Sequence, residues 1–364
     1  MKTTQQLHDL GQSLWLDNIT RGLLTSGTLS RYIDEFSLTG LTSNPTIFDK
    51  AIREENLYND AIREKMVEGK SGEELFYELA LADLIQAADL FRPVHDATGG
   101  VDGWVSLEVS PLLADDTAGS IKSALQLHAS AKRPNVFIKI PGTSKGIPAI
   151  EETIFAGVPV NVTLLFSREQ YMAAAEAYMR GIERRIAAGL DPRVASVASI
   201  FISRWDVAVK DQVSGRLRNR LGIAIAKRAY KAYRDLLASP RWLASSGARP
   251  QRLLWASTGT KDPEASDILY IEALAAPDTI NTMPEKTLHA FAEHGQVKSV
   301  LPIDGGDAEE VLAEFAREGV NNETLAMALQ SEGTQSFDKS WNDLLACIAS
   351  KRALVNKADQ AGRK

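Results

Sequence analysis

The sequence predicts an α/β protein, a (β/α)8 TIM barrel with extra helices, and three observations carry that expectation. Eight short β-rich runs alternate with longer stretches of helical spacing. Such alternation argues for a parallel sheet wrapped by helices, and eight strands close a barrel. Each run also turns polar on one face at its C-terminal end, although strands covered on both sides should stay apolar. The alternative, an open doubly wound sheet, usually carries a glycine-rich first turn. No G-x-G-x-x-G or phosphate-loop pattern occurs in this chain.

In chain order the runs are Leu14–Asp17, Thr39–Ser43, Trp104–Glu108, Asn135–Ile140, Pro159–Leu165, Val194–Ile202, Arg252–Ser257 and Thr279–Thr282. Between them, Ser71 and Glu74 form a capping-box pattern ahead of Leu75–Leu90, and Ser167 and Gln170 do so ahead of Tyr171–Ala188. Ile121–Lys132 and Ala265–Ala275 have helical spacing, and Asp206–Ser239 reads as helices outside the sheet. Pro284 suits the first turn of Glu285–His294, which Gly295 stops. Ala308–Arg317 and Phe337–Ala353 read as further helices, and the polar tail Lys357–Lys364 is expected to fray.

The 364 residues are 44% hydrophobic and 24% charged, an ordinary globular composition that allows a large core. We expect one barrel domain over residues 1–364, with 296–364 a helical extension packed on it. A net charge of −6 disfavours non-specific nucleic-acid binding. No apolar run approaches ~18 residues, so no membrane partner is expected. Asp9 and Asp17 interrupt the N-terminal stretch, unlike a secretory signal. Cys347 is the one cysteine, which leaves no internal disulfide and no cysteine metal site and fits a cytoplasmic location.

Side chains alternate along a strand, so residues of one parity share a face. This pairs Trp15 with Asp17, Thr42 with Asn44, Ser106 with Glu108, Phe137 with Lys139, Asn161 with Thr163, Ser199 with Phe201, and Trp255 with Ser257. The eighth run offers Asn281. In a closed barrel these faces converge at the top mouth, where such enzymes keep their active sites. Lys139 ends an apolar strand. It can snorkel to solvent, or it can be a desolvated amine, which loses its proton more readily and attacks a carbonyl. Schiff-base chemistry also needs proton transfer, and Glu108 and Asp17 are candidate carboxylates. The five histidines are not spaced as metal ligands, so no metal is expected. Ser257-Thr-Gly-Thr-Lys261 follows the seventh run and Arg204 the sixth. Together they offer N–H groups, hydroxyls and cations for a phosphate, in place of a simple helix cap.

These residues resemble the transaldolases. Gly40-Leu-Thr-Ser-Asn-Pro-Thr-Ile-Phe48 is similar to that family's first signature, and Val136-Phe-Ile-Lys-Ile-Pro-Gly-Thr-Ser-Lys-Gly-Ile147 to its second. Trp-Leu-Asp17, Ser-Leu-Glu-Val-Ser110, Asn161-Val-Thr163, Ser199-Ile-Phe201 and Trp255-Ala-Ser-Thr-Gly-Thr-Lys261 follow in the family's order over roughly Gly11–Gly295. Asn281-Thr-Met-Pro-Glu285 and the stretch after Asp206 resemble the long branch of actinobacteria, plants and transaldolase–isomerase fusions. Where many members carry Arg in the seventh-strand turn, this chain has Lys261, which keeps the charge without the bidentate fork.

The resemblance implies a class I aldolase-like barrel that moves a dihydroxyacetone unit between sugar phosphates through a Schiff base, with no cofactor. It implies Lys139 as nucleophile, Asp17 as base in bond cleavage, and Glu108 with Thr163 in proton transfer through a water. Asn44 and Asn161 would hold sugar hydroxyls, and Arg204, Ser257 and Lys261 the phosphate. Ser199 and Phe201 would complete the substrate site. A monomer or homodimer is expected. The alternatives are a fructose 6-phosphate aldolase-like enzyme, for which Gln at Glu108 and Tyr at Phe201 would be expected, and a non-catalytic sugar-phosphate-binding barrel.

Overall fold

The structure, a computed structural model, describes residues 2–245 and 247–361. Eight strands run parallel: β1 (Gln12–Asp17), β2 (Leu38–Thr42), β3 (Trp104–Glu108), β4 (Val136–Pro141), β5 (Val160–Leu165), β6 (Ser196–Phe201), β7 (Gln251–Ala256) and β8 (Thr279–Met283). They hydrogen-bond in sequence order, and β8 pairs back to β1 to close the barrel. Outward residues such as Leu14, Val105, Ile138 and Val162 join the surrounding helices in one core. Inward residues make a second core. Within it Trp104 stacks on Phe137 at 4.2 Å, with Trp15 6.1 Å from Phe137. Gly40 makes room for this plug, because a Cβ there would lie 2.6 Å from the Trp15 indole. The mouth above is therefore a floored cup.

Two strands depart from the expected faces. On β7, Leu254 and Ala256 point inward while Trp255 packs outward among the helices. Ser257 still reaches the mouth because its backbone is left-handed (φ 55°) and breaks the alternation. On β8, Ile280 and Thr282 take the inward positions. Asn281 pairs in register with Leu14, which faces outward, so Asn281 is buried on the outer face.

The Ser167–Gln170 capping box forms ahead of the helix Arg168–Ala187. The one expected at Ser71 does not: Ser71 is the N-cap of the helix Gly72–Ala97, but its side chain makes no capping bond. Gly72 beside it is left-handed (φ 54°), a backbone departure from the regular first turn that a capping box needs. That helix also runs past Leu90 and through Pro93, which sits on the exposed side of the last turns, where water can satisfy the freed carbonyl. Pro284 is the N-cap of Glu285–His294, one residue outside the first turn. The expected Ala265–Ala275 helix shrinks to Leu269–Ala273. Within the expected range the Ser266 hydroxyl accepts the Ile268 N–H and the Ser266 carbonyl accepts from Thr260, local bonds that compete with helix there. Helices Leu221–Leu237 and Ala308–Arg317 lie where expected, whereas Thr117–Ala131 and Ser203–Val209 begin ahead of the expected Ile121 and Asp206.

The largest difference is the last helix. It spans Asn322–Ala361, 40 residues, where only Phe337–Ala353 was expected. Of the tail expected to fray, residues 357–361 continue this helix and 362–364 lie outside the described residues. The helix packs on Pro45–Glu54 and reaches the mouth through Ser336 and Phe337. Among the described residues, no helix is long and apolar enough to cross a membrane.

Candidate active site

Parallel strands bring their last inward residues to one mouth. Glu108 and Lys139 are register partners on β3 and β4, and Lys139 and Asn161 on β4 and β5. Lys139 and Glu108 are each only 6% exposed. Their side chains form an ion pair, Nζ to Oε1, at 3.4 Å. Lys139 Nζ also donates to the Ser43 carbonyl at 2.9 Å. The second carboxylate oxygen of Glu108 and the Thr163 hydroxyl are buried without a protein partner.

Asp17 closes the group from β1. It accepts a hydrogen bond from Thr42 Oγ1 at 3.0 Å, and Thr42 shares another, also 3.0 Å, with Thr282. Burial raises the Asp17 carboxyl above its usual pKa, opposed by Lys139, the Thr42 bond and Lys261. Burial raises Glu108 too, opposed by Lys139 and reinforced by Asp17. Two carboxyls held above the usual carboxylate range beside one amine are placed for proton transfer.

Above them lies a cavity of about 280 Å³. Nine of the eleven expected site residues line it; Glu108 and Asn161 do not, and both are buried beside Lys139 in the strand register. Asn161 donates to Ser106 Oγ at 3.2 Å and accepts from Ser199 Oγ at 2.7 Å. Asn44 caps the helix Pro45–Glu54 by accepting from Ile47 N–H, which leaves its amide NH2 for a ligand.

Arg204, Ser257 and Lys261 gather on the far wall. Ser257 shares a hydrogen bond with Ser203 Oγ at 2.9 Å. The Thr258 and Thr260 hydroxyls are tied to the Thr282 and Ser266 carbonyls. The turn thus presents one hydroxyl and one cation; its side chains cap no following helix, since the next begins at Leu269, while the Ser257 carbonyl accepts the Ser203 N–H at 3.1 Å. Among the described residues, no trio of His, Cys, Asp or Glu is grouped to hold a metal ion.

Sequence reasoning missed Thr282, Ser336 and Phe337 as lining residues. Thr282 was legible in principle as the inward alternative to Asn281. Phe337 carried no signal, because its helix was read as starting there.

A closed parallel barrel with a buried lysine between carboxylates at its C-terminal mouth is a class I aldolase-like barrel. A family model, Transaldolase/Fructose-6-phosphate aldolase, matches residues 14–348. The chain is 45% identical to a transaldolase of Frankia alni, over 94% of this chain and 96% of the relative. It is 44% identical to transaldolases of Thiobacillus denitrificans (96% and 100% covered) and Thermobifida fusca (96% and 98%). The chain belongs to the transaldolase family.

Proposed function

We propose that this mouth transfers a dihydroxyacetone unit from a ketose phosphate to an aldose phosphate, as in the pentose phosphate pathway. The donor is sedoheptulose 7-phosphate or fructose 6-phosphate, and the acceptor glyceraldehyde 3-phosphate or erythrose 4-phosphate. The observation that carries this reading is the Lys139 amine, buried and 3.4 Å from Glu108.

Lys139 attacks the ketose carbonyl and, after loss of water, becomes an iminium that accepts the electron pair of the breaking carbon–carbon bond. Asp17 takes the proton from the adjacent sugar hydroxyl as the aldose phosphate leaves. Glu108 moves protons as the Schiff base forms and collapses; its free oxygen and the unpartnered Thr163 hydroxyl suit a water between them. Asn44 and Asn161 act on the dihydroxyacetone hydroxyls, with Ser199 fixing Asn161 and Phe201 walling the site. Arg204, Ser257 and Lys261 hold the phosphate. Glu108 and Phe201 favour transfer over release of free dihydroxyacetone. The partners are small sugar phosphates met in the cytoplasm, and a monomer or homodimer suffices.

Borohydride added with fructose 6-phosphate should leave a reduced adduct on the protein, and a coupled assay with erythrose 4-phosphate should report transfer. Lys139→Ala should lose both. A folded Lys139→Ala protein that retains either one removes the assignment.

A further inference from the structure

We propose that Gly333 and Phe337, on the long C-terminal helix, position the Arg204 guanidinium and thereby set the preference for phosphorylated over neutral sugars. This rests on the reading of Arg204 as a phosphate ligand.

Arg204 is half-buried at the cavity wall. Among the described residues, no carboxylate lies within ion-pair distance of it. Two aromatic rings flank it instead: its Cζ lies 5.1 Å from the Phe201 ring centre and 6.0 Å from that of Phe337. Ring faces attract a guanidinium without using its N–H donors. A carboxylate would occupy those donors and compete with an incoming phosphate. Burial lowers the Arg204 pKa and Glu332 opposes that fall; an arginine stays charged nonetheless.

Gly333 lies one helical turn before Phe337, so both face Arg204. A Cβ at 333 would come within 3.3 Å of Arg204 Nη1 and 3.0 Å of the Leu164 side chain. Glycine is a poor residue for a helix interior, and here its missing side chain is the space beside the guanidinium. The segment is pinned at this height. Gln330 Nε2 donates to the Gly142 carbonyl at 3.1 Å and to the Leu164 carbonyl at 2.9 Å. Leu164 has left-handed backbone (φ 58°) where β5 loses register with β6. It joins Phe166, Phe201 and Phe337 in one cluster. The strand ends carrying Lys139 and Thr163 thus fix the helix that fixes Arg204.

The test compares glyceraldehyde 3-phosphate with glyceraldehyde as acceptors. Gly333→Ala and Phe337→Leu should raise KM for the phosphorylated acceptor about 3- to 10-fold, the range one cation–π contact supplies. Their kcat should stay within about twofold and their loss on glyceraldehyde should be much smaller. Phe337→Tyr, which keeps a ring, should restore most of the KM. Gly333→Ala gains helix propensity but crowds Leu164 as well as Arg204, so its urea unfolding is measured beside the kinetics, and the KM effect is read on protein of near-parental stability. Arg204→Ala is the reference. If it keeps the phosphate preference, the reading of Arg204 fails. If it loses the preference while the helix variants keep it, or if those variants weaken both acceptors equally, the positioning role is overturned.

Discussion

At the N-terminal end of the barrel, Asp102 accepts hydrogen bonds from Ser13 Oγ at 2.6 Å and Arg252 Nη1 at 3.1 Å. Arg252 also donates to Ser13 Oγ and to the Thr279 carbonyl. That trio ties β1, β7, β8 and the approach to β3 together, and its charges answer one another. At the C-terminal end, Lys139 and Glu108 are as deeply buried, yet the pair is looser at 3.4 Å and one Glu108 oxygen has no protein partner. Both ends contain a carboxylate facing a cation. A satisfied network binds the cylinder together, whereas an incompletely satisfied one keeps donors and acceptors for something that arrives from outside.

Substitutions can break this contrast. The largest effect belongs to the carboxylates at the C-terminal mouth, where Asp17→Asn and Glu108→Gln should each slow turnover by about 10²- to 10⁴-fold, the range of general acid–base groups. Rapid-quench trapping with fructose 6-phosphate separates them. Asp17→Asn should still form a trappable adduct but release aldose phosphate slowly, whereas Glu108→Gln should form the adduct slowly. The reverse pattern exchanges their roles.

Next in size is Arg252→Met at the other end. It leaves the Asp102 carboxylate buried and unpaired, a loss of about 3–5 kcal/mol in urea unfolding. The folded fraction should keep a near-normal kcat; lost turnover with unchanged stability would erase the distinction between the ends.

The smallest effect has the opposite sign. Burial raises the Asp17 pKa in the folded state, so the native protein holds that proton more tightly than the unfolded chain and loses stability as pH rises through the folded value. Asp17→Asn removes this loss, at most about 1.4 kcal/mol per pH unit crossed. Unfolding measured at acid pH and at pH 8 should show the variant gaining on the parent as pH rises. The same shift places the acid limb of activity above the ordinary carboxylate range of about 4.

Much of the site was legible because alternation is a local rule. On β1 to β6 the inward faces follow directly from residue parity, which brings Asp17, Lys139 and Thr163 to one cavity. The rule fails at β7 because Ser257 is left-handed, so counting back from it assigns Trp255 to the wrong side. It misleads at β8 because the cost of burying an unpaired amide argues for Asn281 at the mouth, yet Asn281 is buried on the outer face with its amide unpartnered, and the adjacent Thr282 points inward and bonds Thr42. The first half of the C-terminal helix was not legible. Its Gly333, Thr334 and Ser336 are weak helix formers, and contacts with the mouth, such as those of Gln330, are what hold it.

The seam of the barrel has a consequence for how the molecule is made. Gln12 donates to Thr279 Oγ1 across 267 positions of chain, while other neighbouring strands are joined by single crossovers. Contacts so distant in sequence form slowly. Until β8 reaches β1, the sheet is open and both strands are edges, with bare N–H and C=O groups able to pair with another chain. The Gln12–Thr279 bond and the β1/β8 ladder beside it are therefore among the last contacts to form, and they are what removes those two edges.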